Sequence, residues 1–273
     1  MILDAFTLDG KVALVTGGGR GLGLGFSTAL AQAGADVVIL DRSGSPEAVE
    51  AVEALGRRAW SVQADLLAAT PEQVQDLVTQ VAGEAGRLDI VVNNAGIIRR
   101  EPAIDFTRAN WDEVIDLNLS KVFYLSQAAA RVMIDQAGGL DAVRAAGESG
   151  GGRERSIGKI INIASMLSYQ GGKIVPSYTA SKSGVAGLTR ALASEWAPLG
   201  INVNAIAPGY FATDNTAQLR ANPERSAEIL GRIPAGRWGR PTDLQGVAVF
   251  LATAASDYVD GTTIPVDGGW LTR

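Results

Sequence analysis

A short apolar run, Val12-Ala-Leu-Val-Thr16, is followed at once by Gly17-Gly-Gly-Arg-Gly-Leu-Gly23 and then by apolar residues at helical spacing, Phe26, Leu30 and Ala33. A continuous apolar run bounded by glycine reads as a strand buried on both faces. Such strands belong to parallel sheets, whose crossovers are usually helices. Glycine lets backbone approach an anion closely, and the following helix start supplies N–H donors and the positive end of a dipole. The spacing of Gly17, Gly21 and Gly23, with Gly19, Arg20 and Leu22 between them, therefore predicts a pyrophosphate site. The alternative is a plain tight turn.

The rest of the chain repeats the alternation of strand and helix. Asp36-Val-Val-Ile-Leu-Asp41 predicts a second strand ending in a carboxylate roughly 20 residues past the turn, where an acid can bond the adenosine ribose hydroxyls. That carboxylate repels a 2′-phosphate, so NAD is expected over NADP. Arg20 and Arg42 act the other way, since either could meet such a phosphate. Otherwise Asp41 is a turn former before Ser43-Gly-Ser-Pro46. A helix over Pro46–Leu55 leads to a strand over Ala59–Ala64, ending at Asp65-Leu66, which could contact adenine or merely start a loop. A helix over Pro71–Ala85 and a strand over Leu88–Asn93 follow. The strand closes on Asn93-Asn94-Ala95-Gly96, which suits a wall where cofactor passes close to backbone.

One long helix is predicted over Trp111–Gln136, with Asn118 in its middle. Asn is a poor residue there, explained either by a kink that frees a carbonyl for water or by surface exposure. A strand over Lys159–Ala164 ends at Ser165, and one over Ile201–Ala207 ends at Pro208-Gly209. Asp214–Arg232 is polar and helical in pattern, and residues 210–232 form a lid candidate. A helix over Pro241–Thr253 and a strand over Thr262–Val266 complete the chain. This predicts an α/β fold: one doubly wound parallel sheet of about seven strands, helices on both faces, in a single domain spanning 1–273. Ligands of such sheets lie beyond the carboxyl ends of the strands.

Tyr178 and Lys182 stand four residues apart at the start of a helical pattern, with Ser177 as the expected N-cap. They share a helix face. A nearby cation lowers a phenol's pKa from about 10, toward a value useful for proton exchange with an alcohol or ketone. Composition sharpens this. His and Cys both number 0, so acid–base chemistry must run on Tyr, Lys, Asp or Glu, with no thiol or imidazole. No EF-hand spacing offers an all-oxygen metal site. The net charge is −5 and no basic run exceeds Arg99-Arg100, which speaks against nucleic acid. No apolar run approaches the roughly 20 residues of a membrane span. Met1–Phe6 lacks signal-peptide character, so a cytoplasmic location is expected.

Thr16-Gly17-x-x-x-Gly21-x-Gly23, Asn93-Asn-Ala-Gly96, Asn118, Ser165, Tyr178-x-x-x-Lys182 and Pro208-Gly209, in this order, resemble the short-chain dehydrogenase/reductase family. The resemblance implies that Tyr178 exchanges the substrate's hydroxyl proton and that Lys182 tunes it and bonds the nicotinamide ribose. It implies that Ser165 holds the substrate oxygen and Asn118 anchors a water. It places cofactor along Asn94, Ala95, Gly96, Pro208, Gly209, Phe211 and Thr213, with Thr213 on the carboxamide. Further segments, among them Ile97-Ile-Arg-Arg-Glu, Ile163–Gly172, Pro208–Thr213 and Ile233–Trp238, resemble members that act on sugar acids. These imply NAD(H), a sugar-acid substrate and a homotetramer.

A sugar acid needs a cation. Arg99, Arg100 and Lys173 are the candidates, a solvated surface pair being the alternative for the arginines. Tyr169, Gln170 and Tyr210 are expected in the same pocket. Residues 137–158 depart from the family as a longer, solvated surface insertion with one brief helical piece. Other readings are a reductase for a different carbonyl, an epimerase or dehydratase on this scaffold, and a dinucleotide-sensing module without catalysis.

Overall fold

The computed structural model describes residues 1–148 and 156–273. Among them, seven strands form one parallel sheet: β1 (Val12–Thr16), β2 (Asp36–Asp41), β3 (Ala59–Gln63), β4 (Ile90–Asn93), β5 (Gly158–Ile163), β6 (Ile201–Pro208) and β7 (Thr263–Val266). Their spatial order is β3-β2-β1-β4-β5-β6-β7. The order reverses between β1 and β4, and a crevice opens at such a reversal beyond the strands' carboxyl ends.

Alternation along the strands feeds two cores. On one face Val12, Leu14, Val38 and Val91 pack with Val74 and Val78 of α3 (Pro71–Ala85), after α1 (Gly21–Gln32) and α2 (Pro46–Glu53) in the chain. On the other, Ala13, Val15, Ile39 and Val92 meet Phe26 and Leu30 of α1 and Leu244 and Leu251 around the last long helix. Each fully buried aliphatic or Phe side chain contributes about 1.5–3 kcal/mol of transfer free energy. β1 is buried at every residue, as its unbroken apolar run requires.

The predicted helix over 111–136 is not continuous. It divides into α4 (Arg108–Ile115), a π turn at Asp116–Ser120, and α5 (Lys121–Gln136). Asn118 sits in that π turn, fully buried. Such turns break the i→i−4 ladder and recur at functional sites. In the 137–158 stretch, Leu140–Glu148 forms α6, while residues 149–155 lie outside the described residues. α7 (Pro176–Trp196) follows β5. Its N-cap is Val175, not Ser177. Pro176 takes the first helical position, where its fixed φ and missing N–H suit it. That moves Ser177 inside the helix, fully buried, with a hydroxyl that has no hydrogen-bond partner.

Between β6 and β7 lie α8 (Ala217–Ala221), α9 (Pro223–Arg232) and α10 (Gln245–Ala252), the last preceded by a 3-10 turn over Pro241–Leu244. The stretch read as a lid is thus two short helices. α9 is docked by Ile229 against Met166, Ile233 and Trp270. β4 starts at Ile90 rather than Leu88, because the Gln136 amide takes both backbone groups of Leu88.

Candidate active site

The glycine turn is closed to side chains on its inner side. A Cβ on Gly23 would stand 1.9 Å from the Gly17 carbonyl oxygen, and one on Gly19 would stand 2.0 Å from Ser45 Oγ. Gly17 and Gly21 adopt φ of 61° and 56°, the left-handed region that favours glycine. At Gly21 an added Cβ would meet Thr213 Cγ2 at 3.9 Å, so the outer side is open and Thr213 stands across it. A dinucleotide's phosphates fit such a turn, open outward and backed by the start of α1. Asp41 lies beside it, with Oδ2 accepting from Gly19 N at 3.3 Å and Oδ1 from Arg42 N at 2.8 Å. Arg20 and Arg42 are exposed. Ser45 carries no sequence signal beyond its place before a helix, yet its buried, unpartnered hydroxyl fills the space under Gly19.

Asn94 directs its carboxamide inward. Its Nδ2 donates to the carbonyls of Thr16 and Gly17, both at 3.0 Å, while Asn94 N and Ala95 N donate to Thr16 Oγ1. The end of β4 is therefore tied to the glycine turn, leaving Ala95 and Gly96 backbone to line the crevice. Asp65 is exposed and caps its own turn through Leu67 N, whereas Leu66 belongs to the core. Gly209 is required where it stands, since a Cβ would lie 2.6 Å from Asp267 Cα. Phe211 turns its ring into the core beneath Gly239.

At the carboxyl end of β5, the Ser165 hydroxyl stands beside Tyr178 and acts to lower the phenol's pKa. Ser165 also accepts from Leu167 N at 3.1 Å, which fixes its rotamer. Lys182 Nζ lies 5.7 Å from the centre of the Tyr178 ring, on the same face of α7, and donates to the Ile163 carbonyl at 2.5 Å. Burial pushes the phenol above its ordinary pKa, and the Ser165 hydroxyl and the Arg100 charge pull it back. The lowering expected from Lys182 is thus not found: the ammonium is turned toward Ile163, and burial outweighs the opposing influence of Ser165 and Arg100. Lys182 itself is pushed down to about 8 by burial. Asn118 Oδ1 accepts from Ile97 N at 2.9 Å and its Nδ2 donates to Ile97 O at 2.8 Å. This couples the kink in the α4–α5 segment to the loop after β4.

The arginine pair divides. Arg99 binds Glu113 through Nε and an Nη at 3.1 and 2.8 Å. Arg100 is the one whose charge reaches the Tyr178 phenol. Lys173 is exposed. Three residues expected in the pocket mainly knit the C-terminal segment to it. Tyr169 donates its hydroxyl to Thr263 O, Gln170 accepts from Trp270 Nε1, and the Tyr210 ring lies between Trp238 and Trp270 at 5.5 and 4.8 Å. Among the described residues no group of three His, Cys, Asp or Glu side chains could hold a metal ion, and no helix is long and apolar enough to cross a membrane.

A phenol, a hydroxyl and a buried ammonium beside a phosphate-fitting turn are the parts of an alcohol–carbonyl oxidoreductase. Comparison with known proteins agrees. The family described as enoyl-(acyl carrier protein) reductase matches residues 17–271. The 2-dehydro-3-deoxy-D-gluconate 5-dehydrogenase of Escherichia coli K12 is 56% identical over 273 residues, covering 100% of both chains. Its namesake from Bacillus subtilis 168 is 49% identical, over 99% of this chain and 98% of that one. Among solved structures, a gluconate 5-dehydrogenase from Burkholderia cenocepacia J2315, in complex with NADP and tartrate, is 38% identical with a TM-score of 0.87, covering 100% of each chain. The chain belongs to the short-chain dehydrogenase/reductase family and is an oxidoreductase acting on CH–OH groups.

Proposed function

We propose that this enzyme interconverts a secondary alcohol and a ketone on a 2-keto-3-deoxygluconate-type sugar acid, with NAD(H) as its cofactor. The observation that carries the reading is the cluster of Tyr178, Ser165 and Lys182 at the end of β5, with the Arg100 charge felt at the phenol. The names of the relatives supply the substrate class.

When bound, the nicotinamide supplies or takes the hydride. The chain does the rest. Ser165 donates a hydrogen bond to the substrate oxygen and orients it. Tyr178 gives its hydroxyl proton to that oxygen in ketone reduction and takes it back in alcohol oxidation. Lys182, charged below about pH 8, bonds the nicotinamide ribose. Asn118 holds Ile97, and so the floor of the loop after β4, and anchors a water that links Lys182 to solvent. Arg100 receives the substrate carboxylate through its planar fork. Gly17, Gly19, Gly21, Leu22 and Gly23 cradle the pyrophosphate, Asp65 and the Leu66 backbone flank adenine, and Thr213 bonds the carboxamide.

Asp41 favours NAD, since its carboxylate repels a 2′-phosphate at the ribose. The NADP held by the Burkholderia relative makes Arg20 and Arg42 the competing influence here. The reading includes a cytoplasmic homotetramer, checked by sedimentation, and a lid over 210–232. Steady-state kinetics with 2-keto-3-deoxygluconate, gluconate and a hydrophobic ketone, each with both dinucleotides, tests it. The deoxy sugar acid with NAD(H) is expected to give the highest kcat/KM. A hydrophobic ketone turning over best, or no substrate consuming NADH, would overturn it.

A further inference from the structure

Ile174 is the one non-glycine among the described residues with positive φ, at 59°. A β-branched side chain there is strained, and such strain persists only where its surroundings enforce it. The surroundings are visible. On one side Gly172 packs so tightly that a Cβ would stand 2.6 Å from Val175 Cγ2 and 2.9 Å from Leu167 Cδ1. On the other, buried Val175 precedes Pro176, which restricts its backbone and blocks relaxation in that direction.

The strained residue has a partner. Its carbonyl accepts from Glu101 N at 3.0 Å. The Glu101 carboxylate is itself fastened to the start of α4. Its Oε2 accepts from Thr107 N at 2.8 Å and Thr107 Oγ1 at 3.2 Å, and its Oε1 from Asn110 Nδ2 at 2.5 Å. One residue earlier stands Arg100, and before it Arg99, bound to Glu113 further along α4. The backbone that carries Arg100 is thus fixed through Glu101, between α4 and the segment that leads into Tyr178.

We propose that Glu101 and the left-handed carbonyl of Ile174 form a clasp that holds Arg100 at the mouth of the Tyr178 crevice, and that this clasp sets the preference for carboxylated substrates. Glu101 and Ile174 are positioning residues that act through Arg100, so the inference rests on Arg100 meeting the substrate carboxylate. Because the clasp also spans the loop after β4 and the approach to α7, it fixes the distance between the carboxylate anchor and the proton donor. A sugar of the right length then presents its carbinol to Tyr178.

The test compares Arg100→Ala, Glu101→Ala, Glu101→Gln and Ile174→Gly. Each is assayed with a sugar acid and with its neutral counterpart, in which a hydroxymethyl group replaces the carboxylate. NADH affinity is followed by fluorescence. Arg100→Ala and Glu101→Ala are each expected to raise KM for the acid about tenfold, as a displaced anchor does. kcat should stay within about threefold and the neutral substrate's KM should not move. NADH affinity should be unchanged. Glu101→Gln should restore most of the loss, because Gln keeps an acceptor for Thr107 and the Asn110 amide can rotate to accept in turn. Ile174→Gly keeps the left-handed turn without strain but loosens it, and should raise the acid's KM about threefold. If Arg100→Ala raises KM while Glu101→Ala and Ile174→Gly leave it alone, the clasp is wrong and the carboxylate reading stands. Arg100→Ala without effect would remove both. Loss of NADH affinity and kcat alongside KM in Glu101→Ala and Ile174→Gly would mark the contacts as merely structural and overturn the clasp.

Discussion

The glycine turn after β1 and the Arg99–Glu101 segment after β4 both border the crevice, but they are held in place by opposite means. The turn is shaped by what cannot be there. No side chain fits at Gly19 or Gly23, where a Cβ would stand within about 2 Å of Ser45 Oγ or the Gly17 carbonyl. The arginine segment is shaped by what is there: Asn118 on Ile97, Glu113 on Arg99, Thr107 and Asn110 on Glu101. Exclusion by glycine makes a rigid turn that fits the phosphates any dinucleotide shares. Fastening by side chains can be rewritten one residue at a time, which suits the part of the site that must choose a substrate.

The largest expected effect falls between these two regions. Tyr178→Phe removes the proposed proton donor and should lower kcat by about 10²–10⁴-fold, while NADH binding, followed by fluorescence, persists. Gly23→Ala comes next. It forces the Gly17 carbonyl aside and should weaken dinucleotide affinity about 10²-fold by titration. Unchanged affinity would dissolve the contrast, because the turn would then tolerate a side chain. A tenfold smaller effect separates the arginines. Arg99→Ala removes a partly exposed pair, worth about 0–1 kcal/mol, and should move the sugar acid's KM by no more than about threefold, well below Arg100→Ala. Equal losses from the two would blur the distinction.

The smallest effect is in pH. Burial sets Lys182 at about 8, below the free amine's value, so the ammonium is complete below that pH and lost above it. kcat/KM for ketone reduction should be level at lower pH and fall as pH rises through about 8. Lys182→Arg, which stays charged, should move the fall upward while lowering the rate.

The two regions also differ in how far the sequence discloses them. Val12–Thr16 followed by glycines can hardly be anything but a buried strand and an open turn, and β2, β4 and β5 follow from apolar runs of the same kind, whereas β3 and β7 at the sheet edges are only partly buried. Tyr178 and Lys182 are joined by helical spacing alone. Contacts made across space leave no such trace. Nothing local says that Lys182 bonds the Ile163 carbonyl, that Asn94 spends its amide on the glycine turn, or that Glu101 reaches Asn110 and Ile174. Where two local signals compete, the stiffer one wins. Ser177 has an N-cap's chemistry, but Pro176 fixes the first helical φ and the cap falls to Val175. Asn118 announced an irregularity, and only the fold shows that it is a π turn pinned to Ile97.

A crystal structure of the enzyme with dinucleotide and a non-reacting sugar acid is the most direct measurement. The substrate oxygen should lie within hydrogen-bond distance of both Tyr178 and Ser165, with the carboxylate on Arg100 and the nicotinamide stacked across the crevice. A carboxylate bound elsewhere, or a reacting carbon out of reach of Tyr178, would contradict it.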